Sequence, residues 1–450
     1  MKIKFCGADK EVTGSCHLLE TNNKKILIDC GMFQGTDFSE GKNFDHFPFD
    51  PKQIDFVLLT HAHLDHCGRI PKLVKEGFSG KIYTTKASKE LAPLIWKDAY
   101  NIMKYDNKKF SYPILYDLTD IKNAKSLLTG IDYDKKIKLA PDLEIEFQDA
   151  GHIFGSAFVS IFTENKKIVF SGDIGNENVP IIKETEKLIE ADYLVCESTY
   201  GDRFHEKSEE RKDIILRLIK DGVQKGGTIM IPAFSLERTQ EFLYELNRLS
   251  EHEKTLPKIP IYLDSPLSID ATKVYNKYPE YYDEEAKKLH MIGDDFLHFP
   301  NLELTYTKRD SKKINKIKGP KMVIAGAGMM NGGRILHHAA RYLSDPNSTL
   351  IIVGYQAQGT LGRKLYEGEK EVNVMHQKIE VKCQIQAIGA LSAHGDQNKI
   401  LNWIGNSKNS LQTIFFVHGE DKALTTLAEK TTKDFKIKTI IPSEGEEFEI

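Results

Sequence analysis

Four side chains of metal-ligand type fall within six consecutive positions, His61-Ala62-His63-Leu64-Asp65-His66. Three imidazoles and a carboxylate are costly to bury unpaired, because each gives up its water. They become favourable when they close on a cation, so this stretch restricts the chain to folds that build a metal site in one turn. The flanks indicate how. Residues 54–59 are apolar and β-branched and predict a short buried strand, and Ile70-Pro71-Lys72-Leu73-Val74 predicts the opening of a helix. The ligands are expected in a tight strand-to-helix turn.

The same device recurs along the chain. Residues 25–28 lead to Asp29, 143–147 to Asp149 and His152, 167–172 to Asp173, and 193–196 to Glu197. Residues 383–389 lead to Ser392 and His394, and 412–417 to His418. Rigid scaffolds place chemistry in loops at strand ends. Any one case reads equally well as a turn Asp or a loop His. Their repetition beside the His61–His66 turn points to a single shared site.

Between about 205 and 375 the pattern changes to alternating strand and helix, which implies a parallel sheet with helical cover. Site residues lie on both sides of this block, so it reads as an insertion. The expected domains are residues 1–204, an inserted domain at 205–375, and a return segment at 376–450. Within the insert, Ser265 and Pro266 suit an N-cap and a first helical position. Helices are also predicted near 86–105 and 121–128, and the Lys-rich run 308–321 is expected to be a solvated loop. Gly326-Ala327-Gly328 and Gly332-Gly333 do not have dinucleotide-binding spacing. They do form a glycine-rich turn at a helix start, which presents backbone N–H groups to anions.

Composition narrows the partners. A net charge of −3 leaves no global basic footprint, so a nucleic-acid site must be a local patch or borrow its charge from metal ions. Six cysteines without a C-x-x-C pair read as reduced thiols. The amino terminus runs straight into a strand pattern and no apolar run approaches membrane-spanning length, so a cytoplasmic protein without membrane attachment is expected.

One zinc would leave ligands of the 61–66 turn unused. Two zincs sharing a carboxylate use them all, with His152, Asp173 and His418 as further candidates. Such a pair with a bridging hydroxide suits in-line attack at phosphorus, and a lactam or thioester is also within its reach.

Together with Asp29, His152 and Asp173, the His61-Ala62-His63-Leu64-Asp65-His66 run resembles the metallo-β-lactamase superfamily, whose fold is an αββα sandwich. Glu197-Ser198-Thr199-Tyr200-Gly201, Leu391-Ser392-Ala393-His394-Gly395-Asp396 and Val417-His418-Gly419-Glu420 resemble the three further motifs of its β-CASP subgroup. The likeness is to ribonucleases related to the cleavage and polyadenylation specificity factor endonuclease, in a compact prokaryotic form. It implies an α/β fold with an inserted βα-repeat (β-CASP) domain and two Zn2+ per chain. His61, His63 and His152 would hold one ion, Asp65, His66 and His418 the other, and Asp173 would bridge. Asp29 would orient the ligand loop, His394 would meet the scissile phosphate as general acid, Glu197 would orient His394, and Ser392 would touch phosphate.

A histidine at position 418 goes with RNA processing in this subgroup. The implied function is a zinc-dependent ribonuclease that hydrolyses single-stranded RNA, internally or from the 5′ end, by the two-metal bridging-hydroxide route. Ser235, Arg238, Gly328 and Arg334 are expected RNA-backbone contacts. A homodimer is compatible with compact relatives but has no local signal. Two alternatives share the ligand set: a hydrolase of a small lactam or thioester, and a DNA-directed nuclease of the same superfamily.

Overall fold

The computed structural model describes residues 1–35, 37–205, 211–388 and 392–450, with the side chains of residues 37 and 38 left undescribed. The chain divides into two compact units, one comprising 1–177, 184–204 and 394–450, the other 178–183 and 205–393.

The first unit contains two seven-stranded sheets. One has the order Glu447–Glu449, Lys2–Phe5, His17–Thr21, Lys24–Ile28, Phe56–Leu58, Lys81–Thr85, Leu128–Ile131. The other runs Lys438–Ile440, Thr413–Phe416, Tyr193–Cys196, Lys166–Phe170, Ala157–Thr163, Leu143–Asp149, Ile137–Ala140. Inward residues of both sheets, including Phe5, Leu19, Ile26, Phe147, Ile161 and Phe415, form one buried core. Fully burying side chains of this size contributes about 1.5–3 kcal/mol each. On the outer face of the second sheet, Ile400, Trp403, Leu424 and Leu427 of two helices pack on Phe158, Val169 and Phe416. The helix Lys86–Phe110 lies against the strands Lys81–Thr85 and Leu128–Ile131 of the first sheet. The result is the αββα sandwich expected from the sequence.

The second unit holds a six-stranded sheet in the order Leu302–Leu304, Ile261–Leu263, Lys321–Ala325, Thr228–Pro232, Thr349–Ile352, Gln384–Ala387, with every neighbouring pair parallel. All carboxyl ends therefore lie on one edge. Ser265 caps the helix Pro266–Lys277, its side chain accepting from the Ser268 N–H, with Pro266 in the first turn. The run expected as a loop begins with a helix, Lys308–Ile314, because Thr307 caps it and Lys313 pairs with Asp310 at 2.7 Å. This unit also extends past residue 375. The strand Gln384–Ala387 pairs with Thr349–Ile352 in the inserted sheet. Gly389 and Leu391, used in the sequence reading, lie outside the described residues. All six cysteines are buried and free. Among the described residues no helix is long and apolar enough to cross a membrane.

Candidate metal centre

The metal-type ligands converge within the first unit, at the carboxyl ends of its strands. His61, His63, His152 and Asp173 bring their ligand atoms within 4.8 Å of one another, as do Asp65, His66 and His418. Three imidazole nitrogens crowd together: His63 Nδ1 lies 3.2 Å from Nε2 of His61 and 3.2 Å from Nε2 of His152. Asp173 stands between the two groups, with Oδ2 3.4 Å from His61 Nε2 and 3.3 Å from His152 Nε2, and Oδ1 3.2 Å from His66 Nε2.

A divalent cation fits this arrangement. Among the described residues, both oxygens of Asp173 and the Nε2 atoms of His66 and His418 are buried without a well-aligned hydrogen bond, a shortfall that a bound ion would make good. The outer atoms fix the tautomers. His66 Nδ1 donates to Asp29 Oδ2 at 2.7 Å. Thr60 Oγ1 gives its proton to Asp29 at 2.9 Å, so it accepts from His61 Nδ1 at 3.0 Å. Thr199 Oγ1 donates to the His418 carbonyl and accepts from His418 Nδ1, each at 3.2 Å. In all three rings the Nε2 lone pair is left facing inward, as ligation requires.

The electrostatics agree. Burial, aided by the neighbouring imidazoles, keeps His63 neutral down to about 3, and burial likewise lowers His61 and His152. Burial would push Asp173 up, but the charges of His66, His418 and His394 outweigh it and hold its carboxyl well below the usual range. Burial also opposes charge on His66, yet Asp173 and Asp29 raise it well above the ordinary value. That pocket draws a proton when no cation is there, so metal and proton compete for it.

His394 forms a third group with Asp173 and Glu197. Its Nδ1 lies 3.2 Å from each Glu197 oxygen, and Glu197 is itself held by the N–H groups of Ile174 at 2.7 Å and Thr199 at 3.2 Å. Burial works against charge on His394, but Glu197 and Asp173 prevail and raise it to about 9. The ring is half-buried and charged at neutral pH.

Two glycines let the ligand loops approach. A Cβ on Gly31 would lie 1.5 Å from the Asp65 carbonyl oxygen, and one on Gly175 would lie 1.7 Å from the Gly151 oxygen and 2.8 Å from the His152 nitrogen.

Family models match in three segments: the metallo-beta-lactamase superfamily at residues 9–185, the Beta-Casp domain at 239–365, and a Zn-dependent metallo-hydrolase RNA specificity domain at 378–442. The chain is 38% identical to Ribonuclease TTHA0252 of Thermus thermophilus, covering 95% of each chain. It is a metallo-beta-lactamase superfamily member of the Beta-Casp branch. It is also 32% identical to an RNase J-like protein of Methanocaldococcus jannaschii over 98% of both chains. Transcription termination factor FttA of Methanosarcina mazei is 31% identical over 98% of this chain and 70% of that protein. A crystal structure of a protein of unknown function from Enterococcus faecalis V583 shares the fold, with a TM-score of 0.57 at 12% identity over 99% of both chains.

In this Beta-Casp chain the inserted unit turns its expected RNA contacts inward. Arg238 is buried and its guanidinium pairs with Glu241, because the helix Arg238–Asn247 is buried on every side. Arg334 Nη1 donates to Asp264 at 2.6 Å and to the Thr305 carbonyl at 2.9 Å, and Nη2 to the Tyr306 carbonyl at 2.6 Å. Gly328 is buried against Phe234, and its carbonyl accepts from Gln356 at 3.1 Å. All three are thus engaged within the inserted unit. Ser235 is half-buried and Ser392 is buried.

Sequence reasoning missed Thr60 and Thr199, which set two tautomers, and Ser156, whose Oγ accepts from the N–H groups of His152 and Ile153 at 3.1 Å each. Thr60 and Thr199 sit next to or two residues from named ligand-loop residues, so a hydroxyl beside a strand-end ligand was the available signal.

Proposed function

We propose that this protein is a zinc-dependent ribonuclease that hydrolyses phosphodiester bonds of single-stranded RNA. The observation that carries the reading is the two converging ligand groups with Asp173 between them and His394 beside them. The names of the 38% and 32% identical relatives, a ribonuclease and an RNase J-like protein, support RNA as substrate.

His61, His63 and His152 would hold one zinc and Asp65, His66 and His418 the other, with Asp173 reaching both. When bound, the ions supply Lewis acidity toward phosphate and a nucleophile at neutral pH. The chain's residues do the rest. Asp29 and Thr60 fix the rings of His66 and His61. His394 engages Glu197 through Nδ1, so Nε2 is the atom that gives a proton to the departing sugar oxygen. Glu197, fully buried, keeps that imidazole charged for the task.

The decisive experiment incubates the zinc-loaded chain with RNA oligomers labelled at the 5′ or the 3′ end, with and without a chelator. Cleavage that the chelator abolishes, and that the Asp173→Ala variant lacks, is expected. Product lengths report whether cutting is internal or from an end. Turnover of a lactam or thioester with intact RNA would replace this reading.

A further inference from the structure

The helix Lys86–Phe110 has two unlike halves. Leu91, Ile95, Trp96 and Ala99 are buried, and Trp96 Nε1 donates to the Cys67 carbonyl at 2.8 Å, anchoring the helix behind the His61–His66 turn. Beyond Ala99 no residue of the helix is buried, although it continues for three turns, about 16 Å. That projecting end exposes large apolar side chains among its polar ones. Ile102 is 42% exposed and Tyr105 50%, and just past the helix Tyr112 is 62% exposed. The tip is held in shape: Ser111 takes a left-handed conformation that closes the helix on the Asn107 carbonyl, and Asn107 Nδ2 donates to the Tyr112 carbonyl at 2.7 Å. Exposed aromatic side chains gathered on an ordered projection mark an interaction surface.

Charge decides between occupants. Lys97, Lys104, Lys108 and Lys109 are all exposed, and among the described residues none of the four forms an ion pair. Two of them lie on aromatic rings, Lys104 over Tyr100 at 5.8 Å and Lys109 over Phe110 at 4.9 Å. Only Asp98 and Asp106 offset them over residues 97–112, and both are partly buried. A second copy of the same face would set these lysines against each other across a two-fold axis, which costs energy. Alternating flat rings and ammonium groups match the bases and phosphates of an unpaired strand.

We propose that the projecting end of the helix Lys86–Phe110, with Tyr112, is a docking surface for single-stranded RNA outside the catalytic cluster. It rests on the ribonuclease reading and extends it. The surface holds long substrates by stacking on Tyr105 and Tyr112 and by phosphate contacts from Lys104, Lys108 and Lys109. A substrate too short to span from the metal centre to the helix end gains nothing from it.

The test compares the zinc-loaded wild type with two variants, Tyr105→Ala/Tyr112→Ala and Lys104→Glu/Lys108→Glu/Lys109→Glu, on unstructured RNAs of about 30 and about 5 nucleotides. Exposed side chains of this kind can be changed with little effect on folding, and an unaltered thermal midpoint checks it. The expected result is a roughly tenfold or greater fall in kcat/KM on the long RNA, no change on the short one, and a shallower salt dependence for the lysine variant. Equal rates on the long RNA, or equal losses on both lengths, overturn the proposal. Variants that lose mass by light scattering while keeping their long-RNA rate also overturn it, in favour of a protein partner. A wild type that cuts neither RNA refutes the ribonuclease reading itself and is told apart by that.

Discussion

Asp29 Oδ2 accepts from His66 Nδ1 at 2.7 Å, and Asp29 reaches that position with a backbone φ of +58°, in the left-handed region. The same carboxylate accepts from the Thr60 N–H at 2.8 Å and the Thr60 hydroxyl at 2.9 Å. One buried side chain thus orients His66 directly and His61 through Thr60. Losses of such outer partners typically lower metal affinity about 10–100-fold.

Asp29→Ala is therefore expected to keep the fold and hold its metal less tightly. Dialysis against a competing chelator followed by metal analysis should show fewer ions per chain than in the wild type, and full retention of both would refute the orienting role.

His394→Ala should leave metal content unchanged and lower kcat by about 10²–10⁴-fold, the usual contribution of a positioned proton donor. Glu197→Gln should produce part of the same loss, because a neutral partner no longer sustains the charge on His394. Wild-type turnover in His394→Ala would assign proton transfer elsewhere.

Gly175→Ala puts a methyl group 1.7 Å from the Gly151 oxygen and against the His152 nitrogen. The loop must move, at a cost of about 1–3 kcal/mol or more, and His152 moves with it. Denaturant midpoint and metal content should fall together. Gly41→Ala, where nothing lies within 4 Å of the added carbon, is the control and should lower neither.

His17 supplies a pH signature. It is buried beside Phe5 and Phe170, and burial lowers it from 6.5 to about 4. The fold favours the neutral ring, so protons favour the unfolded chain. The stability this group contributes is complete above pH 6.5 and drains as pH falls toward 4, by about 3 kcal/mol in total. His17→Leu should remove that part of the slope between pH 6.5 and 4 in denaturant melts. Parallel curves for the two proteins would contradict it.

The convergence of the site was legible because its chemistry is local. Three imidazoles and a carboxylate in one turn, and an acid or histidine at each strand end, have few ways to be buried except together. The inserted unit was harder to read. Arg238 and Arg334 stand at helix starts, where a cation facing an anion is a sound expectation, but their partners Glu241 and Asp264 are set by tertiary packing. Asp264 also binds His338 at 2.8 Å and Ser311 at 2.7 Å, from elements far apart in the chain. Nothing in the sequence near Arg334 announces that meeting. The projecting half of the helix Lys86–Phe110 was equally hidden, since Ile102 and Met103 are as apolar as Leu91 and Ile95 and only burial separates the two halves.

The strand Thr413–Phe416, which delivers His418, slots between Tyr193–Cys196 and Lys438–Ile440. It leaves the ribosome only after the whole inserted unit has been made. A nascent chain holds six of the seven metal-type ligands long before the seventh, and lacks His394 as well. On the proposed chemistry, the chain therefore cannot complete its metal centre until the whole inserted unit has been made.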